Sequence, residues 1–242
     1  MKGIICIIFC LTLSACPNSN ESKTASELLD MIDAGQIAAL DKYLYHLNPS
    51  KLSTPSMRHV FAYKYEILGN LDSAEYYYNL NIREGNNDTL ADRLGLGRVF
   101  FLSGEYERAF EQFWLVETDD SCYASVRYYL GLSASQFFKT DLALHLYRKQ
   151  LLCYPNDHLT KRNMAAIYYE LGDYYNTVEF LASVPDTVLS IEDAMLLANS
   201  LLQTDGAEWA VNYLDLYMQH NAGDERLLLL KVELLNMLPE KN

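Results

Sequence analysis

Small residues recur at a fixed interval through the apolar stretches of this chain. Gly97, Gly131 and Ala165 lie 34 residues apart, and the positions twelve further on, Ala109, Ala143 and Thr177, keep the same step. A repeat of that length is one pair of helices too thin to bury its own apolar face, so successive pairs must stack. The pattern therefore predicts an all-α superhelical solenoid of about six helix hairpins over residues 21–224, with one further apolar helix in 225–242 as a cap. Glycines 35, 69, 104, 172 and 206 fall between the two helices of a pair, where a left-handed backbone ends the first helix. Pro49, Pro55, Pro155, Pro185 and Pro239 all fall at predicted helix ends or between helices. The run from Leu227 to Leu230 in the last helix needs burial.

The repeats can be read copy by copy. Residues 90–123 carry Leu96-Gly97, Phe100, Gly104, Tyr106, Ala109 and Phe113. Residues 124–157 carry Leu130-Gly131, Ala143, Tyr147 and Pro155, but Phe138 and Thr140 replace the turn glycine and the aromatic after it. Copies at 55–88 and 158–190 keep Ala62, Tyr65, Gly69 and Tyr78, and Ala165, Tyr168, Gly172 and Tyr174. The flanking copies, 21–54 and 191–224, are weaker, as expected of repeats that pack on one side only.

This signature resembles the tetratricopeptide repeat. The resemblance implies a right-handed superhelix whose concave face, built from first helices, holds an extended peptide or a partner's helix. In that register Tyr63, Arg98, Phe101, Tyr128, Leu132, Arg162, Tyr169 and Asn199 are the candidate groove residues. Tyr65, Tyr78, Tyr106, Tyr147, Tyr168 and Tyr174 occupy packing positions instead. The family's carboxylate clamp needs basic and amide side chains where this chain has Leu94, Tyr129 and Leu159, so that mode of recognition is not expected. Arg98 and Arg162 are left as groove cations available to an acidic partner.

The first residues have a separate logic. Lys2 precedes an uncharged run over residues 3–13, long enough for the apolar part of an export signal and too short to span a membrane. It ends in Leu13-Ser14-Ala15-Cys16, which resembles the lipobox of bacterial lipoproteins. Residues 1–15 are then a signal peptide, Cys16 the lipidated first mature residue, and 16–20 a short tether. Acylation would anchor the protein to a membrane, and Pro17 after the cysteine favours the outer membrane of a bacterial envelope. Removal of the signal leaves 18 basic against 32 acidic side chains, a net charge near −14. Nucleic acid is not an expected partner, because it is bound by clustered Lys and Arg. Cys122 and Cys153 remain as a pair that an oxidising compartment could bridge or leave as free thiols.

Candidate chemistry is sparse. Gly95-Leu96-Gly97 neither follows a strand nor opens a helix, so it reads as helix packing. The five histidines are scattered, without metal-ligand spacing, and neither metal nor cofactor is expected. Asp119-Asp120 has no nucleophile or base beside it in sequence, and Asn87-Asp88-Thr89 reads as a turn. The expected function is a membrane-anchored, non-catalytic scaffold that binds an envelope protein or peptide, with glycan recognition by tyrosine faces as the alternative.

Overall fold

The computed structural model describes residues 23–46, 53–85, 89–117, 122–137, 139–221 and 224–239. Its described residues form thirteen α-helices and no strand. Six hairpins follow one another: α1 (Ala25–Asp33) with α2 (Ile37–Tyr45), α3 (Pro55–Ile67) with α4 (Leu71–Arg83), and α5 (Leu90–Leu102) with α6 (Tyr106–Trp114). After a short 3-10 turn (Tyr123–Ser125) come α7 (Val126–Gln136) with α8 (Thr140–Cys153), α9 (His158–Glu170) with α10 (Tyr174–Ala182), and α11 (Ile191–Thr204) with α12 (Ala207–His220). The last helix is α13 (Glu225–Asn236).

Local chemistry sets these boundaries. Thr24, Thr54, Asn70, Asp157, Asp173, Ser190 and Asp224 each accept a backbone N–H of the first turn they cap. The hairpin turns close with one recurring hydrogen bond that reaches back five residues, from Asn70 N to Tyr65 O, Glu105 N to Phe100 O and Asp173 N to Tyr168 O. Gly69, Gly104 and Gly172 hold the left-handed conformation this closure needs. In hairpin four, Phe138 lies outside the described residues, but Lys139 N still donates to Ala134 O at 3.0 Å. The same closure is thus reached without a turn glycine.

From α3 onward each helix packs on the next, α1 packs on both α2 and α3, and the first helices α3 and α5, α5 and α7, and α9 and α11 also touch. The hairpin spacing is fixed where an aromatic ring lies against a first helix that has no side chain there. A Cβ added to Gly97 would meet the Phe113 ring at 2.4 Å, and one added to Gly131 would meet Tyr147 at 2.6 Å. The ring lies sixteen residues after the small residue in both hairpins, and Ala62 with Tyr78, Ala165 with Leu181 and Ala198 with Leu214 keep that step. All eight of those apolar side chains, from Ala62 to Leu214, are fully buried. Gly95 performs the same service for the preceding hairpin, its missing Cβ leaving room for Tyr78.

Two features qualify the regular stack. Cys122, just before α7, and Cys153, at the end of α8, form a disulfide with Cα atoms 5.6 Å apart, which resolves the alternative left open by their spacing. Closing a loop of this length contributes about 3–4 kcal/mol on a chain-entropy account. The cap α13 buries Leu227 and Leu234, while Leu228 and Leu229 stay exposed, so only part of the apolar run is covered. Among the described residues no helix is long and apolar enough to cross a membrane.

The close approach at Gly97 gives a direct test. Gly97→Val should lower the unfolding free energy by about 1–3 kcal/mol in urea denaturation followed by circular dichroism. Phe113→Leu added to it should restore part of that loss.

Candidate functional site

The predicted groove residues lie on five first helices, all of them half-buried. Several are joined to the neighbouring hairpin by polar contacts displaced by about one repeat. The Tyr63 hydroxyl donates to Asp33 Oδ1 at 2.5 Å. Arg98 holds both carboxylate oxygens of Glu66, at 2.6 and 2.9 Å, with its guanidinium 5.7 Å from the Tyr63 ring centre. Asn163 donates to the Tyr128 hydroxyl at 3.4 Å, and Arg162 pairs with Asp193 at 2.6 Å. His59 Nδ1 and Asp92 Oδ1, 2.7 Å apart, continue the same ladder beside Arg98.

These contacts correct one expectation. Arg98 and Arg162 are not unpaired groove cations, because Glu66 and Asp193 compensate their charge within the solenoid. Burial opposes the charge on Arg98, but hydrogen bonds and attraction from Glu66 outweigh it and hold the guanidinium pKa above its ordinary value. Removing one partner of a buried pair costs about 3–5 kcal/mol because the other charge is stranded, whereas the intact pair adds little over apolar packing. Such a ladder fixes how one hairpin sits on the next more than it adds stability.

Phe101 and Tyr169 share a second arrangement, one repeat pair apart. Phe101 packs against Tyr106 with ring centres 5.1 Å apart, and Tyr169 against Tyr174 at 5.6 Å. Each therefore braces the start of its own second helix. Leu132 and Asn199 are half-buried on α7 and α11.

Tyr128 is the predicted residue that lines a cavity. A space of about 610 Å³ lies between the start of α7 and the α8–α9 connection, walled by Tyr128, Tyr129, Tyr154 and Leu159, with Asn156 and Asp157 as polar members. The rings of Tyr128 and Tyr129 meet edge to face at 71°, with centres 5.3 Å apart, and form a corner. Tyr129 is backed by Phe113, stacked at 5.2 Å. Tyr154 is fastened to the Cys122 carbonyl by its hydroxyl, and Cys153 itself lines the space, so the disulfide is part of the wall. Asp157 caps α9 and also accepts from Gln150 Nε2 at 2.9 Å. Burial is the main reason that the Tyr128 phenol is pushed up.

Sequence reasoning missed a second concavity. Phe110, Trp114 and Leu115 at the end of α6 and Leu142 of α8 surround about 580 Å³ on the second-helix side. Trp114 and Leu115 are more than half exposed, and Phe110 stacks on Trp114 at 6.0 Å. The signal was present as an i, i+4 aromatic pair, but packing positions on the same helix masked it. Among the described residues no group of three His, Cys, Asp or Glu side chains could hold a metal ion. Cys16, Asp119-Asp120 and Asn87-Asp88 lie outside the described residues.

No family model matches the chain, and no curated protein does. Solved structures do. PilF of Pseudomonas aeruginosa superimposes with a TM-score of 0.73 at 15% identity, covering 86% of this chain and 95% of that one. PilW, a widely conserved type IV pilus biogenesis factor, gives 0.69 at 14% identity over 85% and 96%. A tetratricopeptide repeat protein from Parabacteroides merdae gives 0.63 at 15% identity over 76% and 73%. The chain has the tetratricopeptide-repeat fold. At these identities the likeness carries the architecture alone, and the residues that distinguish this tetratricopeptide-repeat solenoid must be read from its own surface.

The buried and half-buried tyrosines give a pH test. Tyr63 is pushed up to about 12, first by burial and then by its hydrogen bond to Asp33. Tyr78, Tyr128, Tyr147 and Tyr213 shift in the same direction, chiefly through burial. In the unfolded chain these phenols ionise near pH ~10. Their contribution to stability is thus complete below that value and is lost as pH rises through the folded pKa. Exposed phenols should ionise first, and helical signal should hold to about pH 10 and then fall with the same midpoint as the remaining tyrosinate absorbance. Full tyrosinate absorbance while the helices remain intact would contradict the assignment.

Proposed function

We propose that this chain is a non-catalytic scaffold that holds a protein or peptide segment at hairpins four and five, with Tyr128 at the centre of the contact. The observation that carries the reading is the cavity of about 610 Å³ walled by Tyr128, Tyr129, Tyr154 and Leu159. Aromatic walls offer a large contact area at low conformational cost, and Asn156 and Asp157 supply hydrogen-bonding groups for orientation. Tyr63, Arg98, Phe101, Leu132, Arg162, Tyr169 and Asn199 are secondary in this reading. Several are already engaged inside the solenoid, so they shape the face and hold it in register.

The cellular setting we infer is the bacterial envelope, with the protein tethered by a lipid on Cys16 and the outer membrane favoured. The Cys122–Cys153 bridge supports an oxidising compartment. The similarity to PilW, a pilus biogenesis factor, supports a role in assembling or maintaining an envelope complex.

A photoreactive group placed at position 128 in intact cells should crosslink one dominant envelope protein. Tyr128→Ala and Leu159→Arg should each abolish capture from a site elsewhere on the same face, with helical content unchanged. Capture that survives both substitutions would remove this surface from consideration. A glycan-array signal lost on the same substitutions would transfer the site to carbohydrate recognition. Separately, Cys16→Ser should shift the protein from the membrane to the soluble fraction, and membrane retention would overturn the anchor.

A further inference from the structure

The chemistry of the cavity narrows what enters it. Among the described residues, none of those lining it carries a positive charge. It offers instead three phenol rings and one carboxylate. Asp157 receives hydrogen bonds from Thr160 N, Thr160 Oγ1 and Gln150 Nε2 at 3.1, 2.8 and 2.9 Å, all of them neutral donors. Among the described residues no lysine, arginine or histidine forms an ion pair with this carboxylate. The nearby guanidinium of Arg162 points its charge at Asp193 of the next hairpin, 2.6 Å away. The corner formed by Tyr128 and Tyr129 presents ring surface, whose negative quadrupole attracts cations.

We propose that the cavity is a cation cage, in which a lysine or arginine side chain of the bound protein segment sits among Tyr128, Tyr129 and Tyr154 and pairs with Asp157. This inference rests on the scaffold reading above and names the group that the scaffold recognises. Arginine and lysine bring long apolar stems that suit Leu159 and Pro155 at the rim, while the charged head reaches the carboxylate. A neutral side chain of the same size would shield Asp157 from water and leave its charge with only the three neutral hydrogen bonds. The net charge of −13 works in the same direction, because it draws cationic segments toward the surface and repels acidic ones.

The test uses the full chain and N-acetyl-lysine methylamide, followed through the tyrosine ring resonances by nuclear magnetic resonance. Saturable shifts in Tyr128, Tyr129 and Tyr154 are expected. The neutral norleucine analogue should bind roughly tenfold more weakly, the factor that a cation–π contact with an ion pair supports. Asp157→Asn keeps a good helix cap and should abolish the preference for the charged probe. Tyr128→Phe should retain it, because the ring is kept, and Tyr128→Leu should lose it. Equal binding of both probes, or no saturable shift with the lysine probe, would overturn the cage. Tighter binding of tetramethylammonium than of the lysine probe would reassign the cavity to a choline-type headgroup and overturn the protein side chain. Crosslinking from position 128 separates this inference from its foundation. A captured partner whose binding is indifferent to acetylation of its lysines and substitution of its arginines would leave the scaffold standing and remove the cage.

Discussion

The stack depends on an absence: where a first helix meets the large side chain of its own second helix, there is no Cβ at Gly97 or Gly131. At 2.4 and 2.6 Å from the added carbon, the rings of Phe113 and Tyr147 occupy the space that any other residue would need. The helix axes can therefore approach until the rings are fully buried, which makes a hairpin of two short helices worth forming. Where alanine takes the place of glycine, at positions 165 and 198, leucine takes the place of the ring. Where alanine faces a ring, as Ala62 does Tyr78, the room comes from Gly95 of the next first helix instead, and hairpins of different sequence are thereby packed with their large side chains fully buried.

Apolar contact of this kind leaves one freedom, the slide of one hairpin along the next. The polar ladder removes it. Tyr63 with Asp33, Arg98 with Glu66 and Arg162 with Asp193 each bridge first helices. A slip by one helical turn would strand a buried carboxylate. Their energetic role is thus conditional: little is gained when they are right and much is lost when they are wrong. The same pairing neutralises Arg98 and Arg162 on the face they occupy and leaves it chiefly aromatic area.

The hairpins were legible in the sequence because the 34-residue step records the ring-under-helix contact directly, through Gly97, Gly131 and Ala165. The groove positions were legible as places on first helices. Their partners were not, since Glu66 and Asp193 lie about one repeat from the arginines they meet, and only the superhelical stacking brings them within 3 Å. The Cys122–Cys153 bridge was hidden for a related reason: its approach depends on how the residues just before α7 lie against the end of α8. The cavity was hidden twice over, because Tyr154, Asn156 and Asp157 belong to a connecting segment that carries no periodic signal.

Hairpin four is the inner repeat that departs from the rule at its turn and at its entry, and it is also where the cavity lies. It lacks the turn glycine, and its entry passes through Ser125 in the left-handed region that residues other than glycine rarely adopt. A regular turn would have continued the first-helix face without interruption. Here the start of α7 and the connection after α8 are tied together through Tyr154 and Cys122, and the space between them is walled by tyrosines. An irregular segment of this kind costs stability that regular packing would have supplied. The disulfide spans that same hairpin from end to end and offsets the loss by limiting the unfolded chain. The covalent staple at the irregular hairpin also forms part of the cavity wall, through Cys153, so the same bond that limits the unfolded chain fixes the shape of that wall.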